Sequence, residues 1–213
     1  MAGTGAEPGR PDLLAGEDLP PAPQQDRSRR TQEAVLAAAL ALFAERGYDR
    51  TAMTDVAARA GVAVGAVYRH CRTKRQLLLL LMDRMLAEIA ELDLDPRPGA
   101  DPRDAVSELL ATALVTDAKY VGAYRAWAGL CARDERLAAV DAELVDWTAA
   151  RLAGILALAR DAPGGRPDLD VPATARLLTL LFWRLLLEPG FDADRTVRAL
   201  GTMILHLLFT DDS

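Results

Sequence analysis

The sequence predicts an all-α protein of about nine helices. Apolar residues recur at helical spacing along most of the chain beyond residue 30. The breaks between these runs carry glycine, proline or capping residues, and neither an internal repeat nor an alternation of strands with helices is visible. The 213 residues suffice for a buried core without disulfides, and the only cysteines, Cys71 and Cys131, form no disulfide framework or zinc pattern.

The first helix follows a stretch of different composition. Residues 1–26 hold five of the twelve prolines and little apolar patterning, so we expect a disordered, acidic tail there. From Thr31 the pattern is helical, with Leu36, Leu40 and Phe43 on one face, and Gly47 is placed to end the helix.

Two short helices and one long helix are expected next. Thr51 is placed to cap a helix that continues to about residue 60, Gly61 breaks it, and a third helix covers about 64–71. Thr73 with Gln76 three residues later forms a capping box before a long helix that ends at about residue 92. Three prolines and a glycine at 95–102 indicate a domain boundary.

The second half of the chain predicts five further helices. Asp101 followed by Pro102 is typical of a helix start, and this helix continues to about residue 117. The other four cover about 119–131, 134–160, 172–188 and 194–209.

Charge is distributed unevenly along the chain. Residues 1–26 have a net charge of −4, residues 27–86 one of +6, and residues 87–213 one of −8. A basic block of domain size within an acidic chain is typical of a module that binds phosphate, although a solvated helix surface has the same composition.

Several classes of function are disfavoured. The longest apolar run, 177–187, is interrupted by Arg184 and is too short for a membrane span, and the amino terminus has no signal-peptide pattern, so we expect a cytoplasmic protein that does not bind membranes. No nucleophile, metal-ligand or phosphate-loop spacing is present. We therefore expect no catalytic residues, no metal, no cofactor and no enzyme activity.

The spacing within the basic block predicts a helix-turn-helix. Ala57 is small enough for a close helix crossing, Gly61 can adopt a positive φ in the turn, and Val67 is placed to fill the angle between the helices. The alternative is a plain helical hairpin without a role in DNA binding.

The stretch from residue 42 to 78 resembles the DNA-binding domain of the tetracycline-repressor (TetR) family of transcriptional regulators. The matching motifs are LFAERGY, T-x-M-x-x-V-A-x-x-A-G-V, G-x-V-Y-x-H and T-K-x-x-L, and the resemblance covers roughly residues 28–85. It implies a three-helix helix-turn-helix domain joined by a long helix to a carboxy-terminal helical effector and dimerisation domain.

The resemblance also implies roles for individual residues. Helix 64–71 would be the recognition helix in the major groove, and the DNA-binding residues would be Arg29, Arg30, Thr51, Val64, Gly65, Ala66, Tyr68, Arg69, His70 and Lys74. Within this set, Arg29 and Arg30 would belong to a basic arm that precedes the first helix. Val64 stands where many relatives have Lys, so base readout would depend on apolar contacts and on Arg69. Cys71 replaces the usual Phe, which we interpret as a change in packing.

The carboxy-terminal half contains a candidate ligand pocket. Tyr120, Tyr124 and Trp127 lie on one helical stripe, and Trp147 comes from the next helix. Such a stripe is either plain core or, as the resemblance implies, part of the pocket for a small, largely apolar effector. Arg184 is either an anchor for an acidic ligand or the partner of an acid such as Glu188.

The last two helices are apolar on more than one side, which favours burial against a second subunit. The expected dimer-interface residues are Leu178, Leu181, Leu185, Leu200, Gly201, Ile204 and Leu208. The alternative is that these are simply the central helices of a monomer.

The expected domains are a tail (1–26), a DNA-binding domain (27–73), a connecting helix (74–94) and a ligand-binding and dimerisation domain (101–213). The expected function is that of a homodimeric regulator, a repressor released by a small molecule from a pseudopalindromic operator in double-stranded DNA. The alternatives are a ligand-independent regulator, an activator, or a helical module that binds protein instead of DNA.

Overall fold

The computed structural model describes residues 9–92, 101–188, 190 and 192–209, and this part of the chain is helical with no strand. The helices in these ranges are α1 (Asp26–Arg46), α2 (Met53–Ala60), α3 (Val64–Tyr68), α4 (Lys74–Ala90), α5 (Pro102–Lys119), α6 (Val121–Cys131), α7 (Glu135–Asp161), α8 (Val171–Leu186) and α9 (Ala193–Leu208). The predicted all-α class is therefore confirmed. None of these helices is both long and apolar enough to cross a membrane.

The chain divides into two units. The helix-turn-helix unit comprises Asp12–Ala87 and Tyr120–Leu137. The carboxy-terminal unit comprises the described parts of Met1–Pro11, Glu88–Lys119 and Ala138–Ser213. This division differs from the one expected from sequence, because α6 belongs with the helix-turn-helix. Most of the expected boundary, 95–100, lies outside the described residues.

In the helix-turn-helix unit, α1 packs against α2, α3 and α6. Its buried face includes Leu36 and Phe43, as predicted. Gly122 of α6 allows a very close approach to α1, since a Cβ at this position would lie 2.5 Å from the backbone nitrogen of Ala44. This contact explains why α6 groups with the amino-terminal helices.

Most of the predicted helix ends are present. Gly47 follows α1 with φ 82°, and Gly61 follows α2 in the left-handed conformation that its turn requires. The backbone N–H of Gln76 donates to the hydroxyl of Thr73 over 3.1 Å at the start of α4.

The prediction that Thr51 caps α2 is wrong. The capping residue is Ala52, whose backbone N–H donates to the carboxylate of Asp55 over 3.0 Å. Thr51 is buried and its hydroxyl donates to the carbonyl of Gly47 over 2.9 Å, so it stabilises the turn before the helix instead.

The described residues before α1, where the sequence predicts a disordered tail, make specific contacts in the structure. The side chain of Leu13 is only 1% exposed. Glu17 pairs with Arg75 at 3.1 Å, and the carbonyl of Asp18 accepts from the side chain of Gln76 over 2.9 Å. One buried leucine and a series of polar contacts therefore hold a segment whose proline content had suggested disorder.

In the carboxy-terminal unit, the hydrophobic core is formed by α5, α7, α8 and α9. Its members come from widely separated parts of the sequence and include Val106, Leu110, Ile155, Leu156, Ala175, Leu178, Ile204 and Leu208.

Candidate nucleic-acid interface and apolar cavity

The three residues that the sequence spacing singled out position α3 in the helix-turn-helix. Ala57 and Val67 are buried, and Gly61 makes the turn between α2 and α3 with φ 68° and ψ 30°. With Val67 packed inward, the opposite face of α3 is available for contacts. The helix ends at Tyr68, three residues earlier than predicted.

The exposed residues of α3 and its end include most of the predicted base-reading positions. Val64, Gly65, Tyr68 and Arg69 are exposed and Ala66 is half-buried. The guanidinium of Arg69 makes only a long contact, 3.4 Å, with the carbonyl of Gly65. This surface therefore presents an apolar patch, a phenol and a cation to a partner.

Three residues that were predicted to contact DNA are buried or make hydrogen bonds within the protein. Thr51 is buried in the turn described above. His70 is 8% exposed, and this burial, followed by the charge of Arg69, lowers its pKa. The ammonium of Lys74 donates to the carbonyls of Tyr48 and Asp49 over 2.8 and 3.3 Å. Thr51 and Lys74 thus hold the turn between α1 and α2, and His70 is largely covered by the protein.

The expected basic arm is part of a helix. Arg29 and Arg30 are exposed within the first turns of α1, which begins at Asp26 and thus five residues earlier than predicted. Arg27 of the same turns and Arg69 both line a groove of about 930 Å³ beside the α2–α3 turn. These two cations make the groove suitable for an anionic backbone.

Other arginines near α3 are paired with acids. Arg72 pairs with Asp18, and Arg75 pairs with Glu17 and with Asp134 at 3.0 Å. Cys71 next to them is buried, which raises the pKa of its thiol to about 11 and agrees with a packing role.

A second feature lies in the carboxy-terminal unit. A cavity of about 70 Å³ is enclosed by side chains of α5, α7, α8 and α9 and by Ile89 and Leu92. Most of its lining is apolar, with Thr148, Arg151 and Thr179 as the polar members. The sequence analysis missed these three. The available signal was the threonine within the apolar run 177–187 and the Thr148–Arg151 spacing, which places both residues on one face of α7.

Comparison with known proteins identifies the first of these features. Residues 35–81 match the family model described as bacterial regulatory proteins, tetR family. This match covers the helix-turn-helix and the adjoining parts of α1 and α4. The chain is 35% identical over 98 residues to the HTH-type transcriptional repressor KstR of Rhodococcus jostii (strain RHA1), which is 46% of this chain and 44% of that repressor. The chain thus spans less than half the length of the curated TetR-family relatives it matches.

Solved structures extend the likeness in fold beyond that domain. The fatty acid degradation regulator FadR from Bacillus halodurans matches 82% of this chain with a TM-score of 0.62 and 16% identity. A transcriptional regulator from Saccharomonospora viridis, solved in complex with choline, matches 86% with a TM-score of 0.61 and 18% identity. At these identities the likeness shows that the fold is shared over most of the chain.

The aromatic residues predicted to line an effector pocket lie elsewhere. Tyr120, Tyr124 and Trp127 are buried in the helix-turn-helix unit, because α6 packs on α1. They form core, which was the alternative interpretation. Trp147 is buried in the carboxy-terminal unit, and the guanidinium of Arg151 lies 5.4 Å from its ring centre.

Arg184 is not a ligand anchor in this structure. Its side chain is 67% exposed and pairs with Glu188 at 2.8 Å, which is the structural alternative considered from sequence. The arginine that lines the cavity is instead Arg151, on α7.

The predicted dimer residues are divided between the core and the surface. Leu178, Leu200, Ile204 and Leu208 are buried in their own unit, whereas Leu181 is exposed and Leu185 and Gly201 are half-buried. The exposed apolar residues of α8 and α9 are Leu177, Leu180, Leu181, Met203 and Leu207. The prediction assigned four core residues to the interface, because both faces of these helices are apolar and sequence does not show which one is covered internally.

Proposed function

We propose that this protein is a homodimeric, sequence-specific DNA-binding transcriptional regulator of the cytoplasm, a repressor that leaves a pseudopalindromic operator when a small, largely apolar molecule binds the carboxy-terminal unit. The observation that carries this proposal is the exposed face of α3, held outward by the buried Val67. Its placement beside a groove lined by Arg27 and Arg69 suits the major groove and the adjoining phosphates.

The release step is supported by the position of α4. This helix begins at Lys74, whose ammonium binds the carbonyls of the α1–α2 turn, and its far end carries Ile89 into the wall of the cavity. A ligand that prefers one position of that end would shift the equilibrium between DNA-binding states. The choline complex of one structural relative is consistent with a small-molecule ligand.

Selection from a random duplex library with the full-length protein tests the DNA-binding step. We expect enrichment of a two-fold symmetric site whose half-sites lie about one helical turn apart. Affinity for the selected duplex should fall steeply with salt, because phosphate contacts release counterions. Failure to enrich any duplex would favour the protein-interaction alternative, and an asymmetric half-site bound by a monomer would overturn the dimer proposal.

The homodimer is supported by the exposed leucines of α8 and α9. Leu177 is 68% exposed, and with the exposed Leu181 one turn along α8 it offers an apolar patch of the kind that subunit interfaces cover. Leu177→Asp with Leu181→Asp should convert the dimer to a monomer in sedimentation experiments. Leu158→Asp on α7, a similarly exposed leucine, is the control that should leave the dimer intact.

A further inference from the structure

The cavity of the carboxy-terminal unit has unsatisfied polar groups. Among the described residues, three buried side-chain atoms lack a hydrogen-bond partner: the hydroxyl oxygens of Thr148 and Thr179 and the Nε of Arg151. All three residues line this one cavity. Buried polar atoms are nearly always paired in folded proteins, by protein groups, ligands or ordered water, so a ligand with polar atoms would find three groups to pair with at this one cavity.

The charge at the cavity narrows the chemistry of that molecule. Arg151 forms no ion pair with a carboxylate of the described residues. Its Nη2 donates only to the carbonyls of Ala90 and Leu92, and both distances are long, at 3.4 Å. A guanidinium with an unused N–H matches a carboxylate, which accepts two parallel hydrogen bonds from its edge. A ligand cation would be repelled.

The lining and the volume of the cavity place further limits on the kind of ligand it accepts. Leu110, Phe182 and Ile204 are among the side chains that make the rest of the lining apolar. The volume of about 70 Å³ is less than half of the roughly 150 Å³ of an engineered cavity that binds benzene. A ligand of several carbons therefore requires the walls to separate.

We propose that the cavity binds an alkyl carboxylate, with the carboxylate at Arg151 and the chain among the apolar side chains. Thr148 and Thr179 supply hydroxyl donors near the carboxylate. Capture of the ligand draws the guanidinium from the carbonyls of Ala90 and Leu92 and thereby frees the end of α4. This last step rests on the proposed function, whereas the binding step does not.

Calorimetry with the full-length protein at pH 7.5 tests the binding step, with hexanoate, octanoate and decanoate as probes. We expect the affinity to rise roughly fourfold with each added methylene until the chain fills the space available. Octan-1-ol should bind at least tenfold more weakly than octanoate, and octyltrimethylammonium should not bind. Equal binding of acid and alcohol, preference for the cation, or no saturation by any probe, which would mean that ordered water alone occupies the cavity, would overturn the proposal.

Two variants locate the site. Arg151→Gln should weaken octanoate binding at least tenfold and leave octan-1-ol binding unchanged, and the retained alcohol binding shows that the cavity is intact. Arg160→Gln removes a half-buried arginine of the same helix that pairs with Asp161; it is the matched control and should bind octanoate normally. If Arg151→Gln does not bind the alcohol either, the Thr179→Val variant tests the site instead. A loss of octanoate affinity of less than twofold in this variant would contradict the assigned site.

The same probes separate this proposal from the proposed function. Release of the selected duplex by octan-1-ol but not by octanoate would leave a ligand-responsive regulator and remove the carboxylate assignment. Tight octanoate binding by a protein that binds no duplex would support the carboxylate site and contradict the proposed DNA-binding function.

Discussion

The two units of the molecule differ in how closely their helices pack. In the helix-turn-helix unit, Gly122 brings α6 so near α1 that an added carbon would meet the backbone of Ala44. The carboxy-terminal unit instead contains a cavity at which the hydroxyls of Thr148 and Thr179 and the Nε of Arg151 have no partner. Unsatisfied groups at a cavity are suited to gaining stability from a ligand.

The largest effect is expected where the packing is tightest. Gly122→Ala should lower the free energy of unfolding by more than about 3 kcal/mol, because backbone atoms rather than a flexible side chain occupy the space. Gly129→Ala on the same helix meets nothing within 4 Å and should be neutral or stabilise by up to about 1 kcal/mol. Urea denaturation of both variants measures the difference. Equal stabilities would mean that α6 does not approach α1 this closely.

The segment before α1 should contribute to the stability of the helix-turn-helix unit. Leu13→Ala is expected to lower the free energy of unfolding by about 2 to 3 kcal/mol, since it removes a buried leucine side chain. Leu14→Ala, at a half-buried neighbour, should cost less than about 1 kcal/mol. A Leu13→Ala protein as stable as the parent would restore the original expectation of a disordered tail.

On the exposed face of α3, substitutions should change DNA binding and leave the stability of the protein unchanged. Arg69→Ala should weaken binding to the selected duplex by about 2 kcal/mol and relax the preference at one base pair, as expected for a side chain that reads a base edge. Arg59→Ala removes a cation whose charge Glu45 already neutralises, so its effect on anisotropy titrations should be small. If the two variants lose equal affinity at every sequence, Arg69 contacts the backbone only.

The smallest effect is a gain in stability at the cavity. Thr179→Val keeps the shape of the side chain and removes a buried hydroxyl without a partner, so the unliganded protein should become more stable by about 1 kcal/mol. Thr202→Val on α9, where the hydroxyl donates to the carbonyl of Arg198 over 3.0 Å, should not raise stability. A destabilised Thr179→Val would show that the hydroxyl is satisfied in solution, for instance by water.

The sequence by itself determined the helices and the recognition motif. The spacing of Ala57, Gly61 and Val67 acts over eleven positions, and short-range periodicity and capping specify such local geometry well. Errors at this level were small and came from competing local partners. Thr51, for example, binds the carbonyl of Gly47, while the N-cap of α2 is Ala52, whose N–H donates to Asp55.

Only the tertiary structure decided which apolar residues face a cavity, a core or the exterior. Tyr124 and Trp127 follow the same helical rule whether α6 packs on α1 or encloses a ligand, and a doubly apolar α8 does not show which face its own unit covers. Burial of Leu13 and the orphaned Nε of Arg151 depend on segments dozens of residues away. Hydrophobic attraction is non-directional, so sequence indicates that a side chain will be buried, and only the assembled helices determine against what.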